Sequence, residues 1–507
     1  MEIFEIIEAL ILALTALFLI HLFRIYTYLN EFPTPSFTPI IGHVFDYSNP
    51  SKALETITKN VIKCGGIMRQ YLGPQHPFLV VADKDFLEFT CKNNRYISKG
   101  SHYNYIKPWL GEGLVTSNGE KWKQRRRALS TKFSQTSLLQ NFLDIFNQKS
   151  DILLSVLDKY HNKDVNLQPI MKRFTFDIIC ETAMGICLNQ QSQTTNTEYA
   201  ASVETLCDIY YNRMSSYLMR YDFFYQRSDE IVREKKALAV IDDILEKILN
   251  LKSEVKKSSG ENDATTNDFL DLLLNVEIDG KRLNKDDIRE EVNTFILAGY
   301  DTSSTALSLI LYKIAEHPDI QKKLLEEQKE VLKEDFKKLH VSFENLHKMP
   351  YLDMVIKETL RMHAIIPMSG RRLEKDGLKY DNINLPSTVN FSIFMHGFHH
   401  NPEYFPEPEK FRPERFSSNE KIDKFTYMPF GVKPRQCLGK NFAMLELKSA
   451  ISKILRTYQL INISEHQLDL KPKLLLYSAT GICIKIRKRS KNITKKQEAS
   501  VNLSTSY

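Results

Sequence analysis

The chain has 507 residues, 42% of them hydrophobic and 26% charged, with 18 glycines and 19 prolines. This composition excludes a disordered or fibrous protein, and the length permits a core large enough for a bulky cofactor. The formal net charge of +7 is modest, and much of it lies in one basic run near the C-terminus, "KIRKRSKNITKK", so no nucleic-acid partner is expected.

The first predicted element is an apolar helix at the N-terminus. Residues 6–23, "IIEALILALTALFLIHLF", are about as long as a membrane span. We assign 1–24 to a transmembrane anchor: acidic residues precede the apolar run and Arg24 follows it, which favours a cytosolic location for the rest of the chain. The Pro-rich segment 25–50, which contains "EFPTPSFTPIIG", is expected to be a stiff, extended hinge.

Residues 51–490 are predicted to form one folded domain that is mainly α with a smaller β region. Short β-like runs such as "HPFLVVA" come first, helical periodicity dominates from about 119 to 335, and short apolar runs with Pro, Asn and Asp follow. The alternating stretch "KLLLYSATGICIKIRK" predicts a closing hairpin. Residues 491–507 are expected to be a basic, polar tail.

The aromatic segment "YLMRYDFFYQR", residues 217–227, stands out within the helical region. It is consistent with a packed helix end, and equally with a substrate-entry flap that touches the same membrane as the anchor. The seven cysteines are scattered and include no CxxC pair, which indicates a reducing compartment rather than a disulfide framework.

Cys437 lies in a distinctive loop, "FGVKPRQCLG". Gly431 and Gly439 would let the backbone turn tightly and approach a flat cofactor, and Arg435 could meet an anionic group. A helical pattern opens at Gly439, so the dipole of that helix would favour a thiolate at Cys437. The sulfur is therefore a candidate haem-iron ligand, although a lone cysteine is more often a small buried hydrophobe.

A second candidate is the long helical pattern that contains "FILAGYDTSSTALSLILYKIAEHP". Polar and small residues, Asp301 and Thr302 among them, interrupt its apolar middle, and such residues can bend a helix and open its backbone to a ligand or water. Beside a metal, this cluster would relay protons. The competing interpretation is an ordinary hydroxyl-rich helix packed against its neighbours.

Two pairs of charged or aromatic residues share a helix face. Glu358 and Arg361 in "KETLRMH" are three apart and follow an apolar run, so a buried pair is plausible, with Arg415 as its further partner. Trp122 and Arg126 in "GEKWKQRRR" are four apart and offer an indole N–H together with a guanidinium, a suitable pair for a propionate.

In this order and spacing, the four segments resemble the motifs of the cytochrome P-450 superfamily of haem-thiolate monooxygenases, over nearly the whole chain. "AEHPDIQKKLLEE", "YLDMVIKETLRMH" and "NPEYFPEPEKFRPERF" are most similar to the microsomal branch that includes the family 4 fatty-acid omega-hydroxylases and many insect members. The resemblance implies the cytochrome P-450 fold, with residues 51–490 as a haem-thiolate catalytic domain.

The resemblance also implies roles for individual residues. Cys437 would be the proximal iron ligand of haem b (iron-protoporphyrin IX), with Phe430 packed near the sulfur. Thr302 and Asp301 would guide protons during dioxygen cleavage. The propionates would be held by Trp122, Arg126, Arg371 and Arg435, and a buried structural triad would be formed by Glu358, Arg361 and Arg415.

Two residues depart from the family pattern. Ala298 stands where the omega-hydroxylase branch often has a glutamate that forms an ester with haem, so no covalent haem link is expected. Lys433 stands where the family has the first glycine of the cysteine loop. If that position requires a positive φ, lysine would cost about 1 kcal/mol or more; we expect the loop to tolerate it.

The expected reaction inserts one oxygen atom from O2 into a lipophilic substrate, which could be a fatty acid, an isoprenoid or steroid hormone, or a xenobiotic. Electrons would come from NADPH through NADPH-cytochrome P-450 reductase, with cytochrome b5 as a second candidate donor. The resemblance places the enzyme in the endoplasmic reticulum membrane, in contact with lipid and facing the cytosol.

Two alternatives remain at this stage. One is a haem-deficient binding or scaffold protein, because of Lys433. The other is a haem-thiolate isomerase or lyase, against which Thr302 argues. A hydrolase is excluded by the absence of a G-x-S-x-G motif.

Overall fold

The computed structural model describes residues 2–92, 98–133, 136–193, 198–258, 268–337, 340–374, 378–387 and 389–489. The predicted tail, 491–507, lies outside this part of the chain. The first helices are α1 Glu2–Thr27, α2 Pro50–Lys63, α3 Lys84–Lys92, α4 Lys107–Leu110, α5 Gly119–Phe133, α6 Thr136–Leu157, α7 Leu167–Met184, α8 Glu198–Ser215 and α9 Asp222–Tyr225. The later helices are α10 Asp229–Ser258, α11 Phe269–Asn275, α12 Lys285–Glu316, α13 Pro318–Leu332, α14 Phe343–His347, α15 Pro350–Met362, α16 Met395–His399 and α17 Lys440–Thr457.

The strands are short. They are β1 Ile67–Gln70, β2 Phe78–Val81, β3 Asp164–Asn166, β4 Glu277–Ile278, β5 Lys281–Arg282, β6 Met368–Arg372, β7 Leu378–Tyr380, β8 Ile383–Leu385, β9 Asn390–Phe394, β10 Tyr458–Ile461, β11 Leu470–Pro472, β12 Leu476–Ser478 and β13 Cys483–Lys488. The architecture is therefore mainly α with a smaller β region, as predicted.

The largest sheet has the strand order β1-β2-β9-β6. β1 and β6 are antiparallel to their neighbours, and β2 and β9 run parallel, with Leu79 opposite Phe391. A second sheet has the order β10-β13-β3. In the large sheet, the parallel pairing joins a strand near the start of the domain, β2, to β9, which lies more than 300 residues later.

The helical core is built around α12. This helix packs against α7, α15 and α17, and α6 packs against both α7 and α17. Residues 306–315 of α12 are mostly apolar, with Leu307, Leu309 and Ile310 fully buried. A helix that is hydrophobic all round can be accommodated only in the centre of a large protein, so the sequence of α12 accounts for its central position.

The N-terminal helix α1 is long and apolar enough to cross a membrane, by length and composition. It extends to Thr27, three residues beyond the predicted end of the anchor. The segment that follows α1 packs against the folded domain: Leu29 and Phe32 are buried, and the amide of Arg69 donates to the carbonyl oxygen of Pro33 at 2.8 Å. Buried apolar side chains thus attach this segment to the folded domain.

The predicted closing hairpin is wrong. β12 pairs with β11, whereas β13 pairs with β10 and β3. The alternation of apolar residues correctly indicated strands, but it carries no information about which strand each one pairs with, and here all three partner strands lie outside the predicted hairpin.

Candidate active site

The cysteine loop precedes α17, which begins at Lys440 with Gly439 as its N-cap. The amide of Cys437 donates to the carbonyl oxygen of Phe430 at 2.8 Å and closes the loop. Gly431 has a φ of +70°, which explains a glycine at this turn. Gly439 has an ordinary φ of −84°, so backbone conformation does not require glycine there.

The thiol of Cys437 lies deep among protein atoms, yet the side chain is open on one side. Burial raises the pKa of the Cys437 thiol, while a backbone hydrogen bond from Gly439 and the charge of Arg126 favour the thiolate. A thiol that lies deep in the protein, faces open space and has a positive group nearby has the chemistry expected of a ligand for a soft metal ion.

Lys433 is exposed, and its φ is not positive. The lysine therefore introduces no left-handed strain into the cysteine loop, and its ammonium group is directed to solvent. The backbone cost considered for a positive φ does not arise, and this removes the main physical argument for a loop too distorted to bind haem.

Buried and half-buried cations lie close together beside this loop. Arg435 donates to the carbonyl oxygen of Ser117 at 2.7 Å, and its guanidinium lies 3.9 Å from the ring centroid of Trp122. Arg371 donates to the Ser369 hydroxyl at 2.7 Å, a neutral partner. Burial, followed by repulsion from Arg371, lowers the pKa of Arg435 to about 9. The charge of Arg126 also lowers the pKa of Arg435. The four residues proposed to hold the propionates therefore occupy one region.

Sequence reasoning missed two members of this cluster, Lys99 and Tyr103. Burial, together with the charges of Arg371 and Arg435, lowers the pKa of Lys99 to about 8. Burial would raise the pKa of Tyr103, but the neighbouring Lys99 and Arg371 lower it to about 8. The signal was absent from the local sequence, because Lys99 reaches the site through a backbone bridge to Arg371, which is 272 residues away.

The donor set fits the expected haem b. Across the described ranges, no ion pair joins Lys99, Arg126 or Arg371 to a carboxylate, and the Arg126 guanidinium has no hydrogen-bond acceptor. Several buried cations without counter-ions are costly unless an anion compensates them. The two propionates of a haem would supply that charge, next to a thiol able to bind its iron.

The middle of helix α12 is open on the side that carries Ala298 and Thr302. Ala298 and Thr302, one turn apart, are accessible, although most of the surrounding helix is buried. The Thr302 hydroxyl donates to the carbonyl oxygen of Ala298 at 2.6 Å. On another side, a Cβ at Gly299 would come within 2.5 Å of Ile179, so the glycine permits close contact with α7.

Asp301 lies on a different face of α12 from Thr302. Its carboxylate is 3.7 Å from the Lys172 ammonium of α7, and both side chains are largely buried. The neighbouring carbonyl oxygen of Tyr300 accepts a hydrogen bond from the Thr175 hydroxyl at 2.8 Å. Contacts with α7 therefore fix the side of α12 that carries Asp301. The hydroxyl of Thr302, on a different side, faces open space.

That open space is a cavity of about 980 Å³. Leu297, Ala298 and Thr302 form part of one wall, and the segments 72–78 and 211–222 contribute to others. Most of the lining is apolar, with aromatic side chains from the 101–109 region. A mostly apolar cavity of this size with a few polar groups is typical of a small-molecule site.

The Glu358, Arg361 and Arg415 side chains lie together and are at most 2% exposed. Arg361 binds both carboxylate oxygens of Glu358, at 2.8 and 2.9 Å, and Arg415 binds one of them at 3.0 Å. The remaining donors bind backbone carbonyl oxygens, among them that of His399. None of the three lines the cavity, which is consistent with the structural role that the resemblance implies.

Arg125, adjacent to the predicted Arg126, forms a second buried ion pair that the sequence did not reveal. Its guanidinium donates to the Glu291 carboxylate of α12 at 2.9 Å and to the carbonyl oxygen of Glu112 at 2.8 Å. Burial raises the pKa of Glu291, whereas Arg125 and the amide of Leu114 lower it. This pair attaches α5, which carries Trp122 and Arg126, to α12.

Comparison with known proteins gives a consistent result. Residues 32–485 match the family model described as "Cytochrome P450". The chain is 33% identical over 495 residues to "Cytochrome P450 4d1" of Drosophila melanogaster, covering 92% of this chain and 95% of that protein. It is 34% identical over 475 residues to "Cytochrome P450 4V2" of Mus musculus, covering 89% and 88% respectively.

Proposed function

Since the chain belongs to the cytochrome P450 family and is a haem-thiolate monooxygenase, we propose that it oxidises a lipophilic substrate delivered from a membrane. The observation that carries this proposal is the cavity on the open face of α12. It has a volume of about 980 Å³, a mostly apolar lining, and Thr302 on its wall. The lining favours a substrate with a large apolar surface.

Cys437 would ligate the iron of haem b, and the amide of Gly439 would support the thiolate. Trp122, Arg126, Arg371 and Arg435 would hold the propionates, with Lys99 as an additional cation. When bound, the haem supplies the redox chemistry that activates dioxygen. Since Ala298 has no nucleophilic side chain, the group would be held without a covalent link.

Thr302 and Asp301 would supply protons. The Thr302 hydroxyl now donates to the carbonyl oxygen of Ala298, and rotation about χ1 would let it donate into the cavity instead. Asp301 would contribute from the α7 side of the helix, where its carboxylate lies 3.7 Å from the Lys172 ammonium. The two side chains would thus pass a proton from one face of α12 to the other.

The membrane anchor would be α1. Near its end, the ring of His21 lies 3.2 Å from the carbonyl oxygen of Pro74, in a segment that lines the cavity. Phe223 and Phe224 are 62% and 43% exposed and belong to the connection between α8 and α10. Exposed aromatic side chains beside an anchor favour contact with lipid over a packed helix end.

Electrons would come from NADPH through a flavoprotein reductase, with cytochrome b5 as a second candidate. Lys433 and Lys440 flank Cys437 and are exposed. These cations would favour an acidic partner surface by charge complementarity. We place the enzyme in the endoplasmic reticulum, with the folded domain in the cytosol.

A haem-thiolate isomerase or lyase is the second candidate function, and the open hydroxyl of Thr302 argues against it. A haem-deficient scaffold would require a damaged loop, and Lys433 carries no positive-φ strain. Neither alternative accounts for a proton donor positioned on the wall of the cavity.

The test is the carbon monoxide difference spectrum of the dithionite-reduced protein in membranes, followed by NADPH-dependent turnover with reductase. We expect a strongly red-shifted Soret band, which Cys437→Ser abolishes, and substrate-dependent NADPH consumption. An unshifted band, or haem that survives Cys437→Ser unchanged, would exclude the thiolate assignment. A shifted band with rearrangement of a peroxide in the absence of O2 would favour the lyase.

A further inference from the structure

His399 contacts both the buried triad and the approach to the cysteine loop. It belongs to α16 and is fully buried. Its carbonyl oxygen accepts a hydrogen bond from Nη1 of Arg361 at 2.7 Å. Its ring nitrogen Nε2 accepts from the backbone amide of Met428 at 3.1 Å. One residue therefore bonds to a member of the triad and to the segment that leads into the cysteine loop.

Met428 begins the turn that opens the cysteine loop. Gly431 donates its amide hydrogen to the carbonyl oxygen of Met428 at 2.8 Å, which closes the turn 428–431. Phe430 is a central residue of this turn, and its carbonyl oxygen accepts from the amide of Cys437 at 2.8 Å. The position of the turn therefore determines where the backbone of Cys437 is held.

The hydrogen bond from Met428 fixes the protonation state of the His399 ring. A backbone N–H can only donate, so Nε2 must carry a lone pair, and the hydrogen of the neutral ring lies on Nδ1. Burial, together with the charges of His400 and Arg361, lowers the pKa of His399 well below its ordinary value. The ring is therefore neutral at pH 7, as an acceptor at Nε2 requires.

The contact with Met428 explains why a polar side chain is buried here. Nδ1 of His399 is buried and has no hydrogen-bond partner among the described residues, which costs free energy. An apolar side chain would avoid that cost, but it would leave the amide of Met428 buried without an acceptor. The ring thus satisfies the loop at the expense of one of its own nitrogens.

The other histidines of this region do not make the same connection. Burial also lowers the pKa values of His363 and His396. Nδ1 of His400 lies 2.9 Å from the carbonyl oxygen of His396, within the same helical turn. Within the described ranges, none of these three side chains bonds to residues 428–439. His399 is therefore the histidine whose ring can influence the cysteine loop.

We propose that His399 is a positioning residue that holds the cysteine loop against the buried triad, through its carbonyl oxygen to Arg361 and its Nε2 to the amide of Met428. The triad thereby acts on Cys437 through His399 and the turn 428–431. The inference rests on the proposed role of Cys437 as the haem ligand, and it adds the residue that connects the triad to that ligand.

The test measures how fast the thiolate ligand is lost. The full-length haem protein in detergent is held in urea at a concentration that leaves its circular dichroism unchanged. The red-shifted Soret band of its reduced carbon monoxide complex is then followed with time. Hydrogen–deuterium exchange of the segment 428–437, measured by mass spectrometry, is the second readout, because it reports the hydrogen bonds of the loop without depending on haem.

Three variants separate the acceptor from general destabilisation. His399→Gln keeps an acceptor, because the amide oxygen of glutamine stands at the ε position, as Nε2 does. His399→Asn places its amide oxygen at the δ position, too far from the amide of Met428. His396→Asn is the matched control, because it lies on the same helix, with its ring stacked on His400 at 3.9 Å, and does not bond to the loop.

We expect His399→Asn to lose the red-shifted band at least about tenfold faster than the wild-type protein, since a buried amide loses its acceptor. Exchange in the segment 428–437 should accelerate by a similar factor. His399→Gln and His396→Asn should stay within about twofold of the wild-type rates. If His399→Asn yields no folded protein, His399→Gln decides: wild-type rates support the inference, and tenfold faster rates overturn it.

Equal rates in His399→Asn and the wild-type protein would overturn the inference, and so would equal acceleration in His399→Asn and His396→Asn. The two readouts distinguish this failure from that of the proposed function. A red-shifted band with loop exchange that His399→Asn leaves unchanged refutes the positioning role alone. Faster loop exchange in His399→Asn, in a protein whose band is not red-shifted, refutes the proposed haem ligand and supports the positioning role.

Discussion

Replacing Glu358 with glutamine should strongly destabilise the fold. The Glu358 carboxylate accepts hydrogen bonds from Arg361 at 2.8 and 2.9 Å, from Arg415 at 3.0 Å and from the amide of Arg412 at 3.0 Å. Glutamine would leave two buried guanidinium groups without a compensating negative charge. Removing one partner of a buried ion pair costs about 3–5 kcal/mol, a large fraction of the roughly 5–15 kcal/mol that holds a typical domain folded.

The chain offers a matched control for this change. Glu230 and Arg233 have the same spacing on a helix as Glu358 and Arg361, but Arg233 is 51% exposed. Such a surface pair contributes only about 0.3–0.5 kcal/mol. Urea unfolding of the full-length protein, followed by circular dichroism, should show a much lower midpoint for Glu358→Gln than for Glu230→Gln. Equal midpoints for the two variants would refute the reasoning.

Three further predictions concern the site and its surroundings. Thr302→Ala should divert NADPH electrons to hydrogen peroxide and lower product formation by roughly ten- to a hundredfold, measured as the ratio of product to NADPH consumed; an unchanged ratio would remove Thr302 from the proton path. The buried histidines His363, His396 and His399 have pKa values that burial lowers, to about 3 for His363. Below about pH 6.5 the unfolded chain therefore binds protons that the native state does not. Stability should fall with acidification from about pH 6.5 toward 3, by about 1.4 kcal/mol per pH unit for each histidine; a urea midpoint that stays constant between pH 6.5 and 5 would contradict this. Lys433→Gly should leave haem content and stability unchanged, because Lys433 has no positive φ, and should raise the KM for reductase; a gain in haem content would show that the lysine distorts the loop.

Much of the candidate site was predictable because its motifs are local. The spacing of Trp122 and Arg126, of Glu358 and Arg361, and of the cysteine loop before a helical pattern depends only on helix geometry and turn chemistry. The resemblance supplied Arg371 and assigned Arg435, already singled out in the cysteine loop, to the propionates. The structure brings the four proposed propionate residues to one region beside Cys437.

Other features could not be predicted, because they depend on contacts between distant segments. Lys99 joins the cationic cluster through its bridge to Arg371, and Arg125 faces Glu291 rather than the cavity. Adjacent arginines on one helix point about 100° apart, and sequence alone does not decide which of them meets a carboxylate. The hairpin prediction was wrong for the same reason, since an alternating pattern does not specify which strand will pair with it.

The sequence by itself determined the mainly helical architecture, the apolar N-terminal helix, the long helical pattern of α12 and the cysteine loop before a helix. These follow from periodicity, composition and short motifs, which are properties of neighbouring residues. Only the tertiary structure decided that Lys99, Arg126 and Arg371 lie in one region with no ion pair to a carboxylate among the described residues, and that Thr302 opens onto the cavity. The physical reason is that the cost of burying a charge depends on which groups surround it in space, and packing between distant segments sets those surroundings.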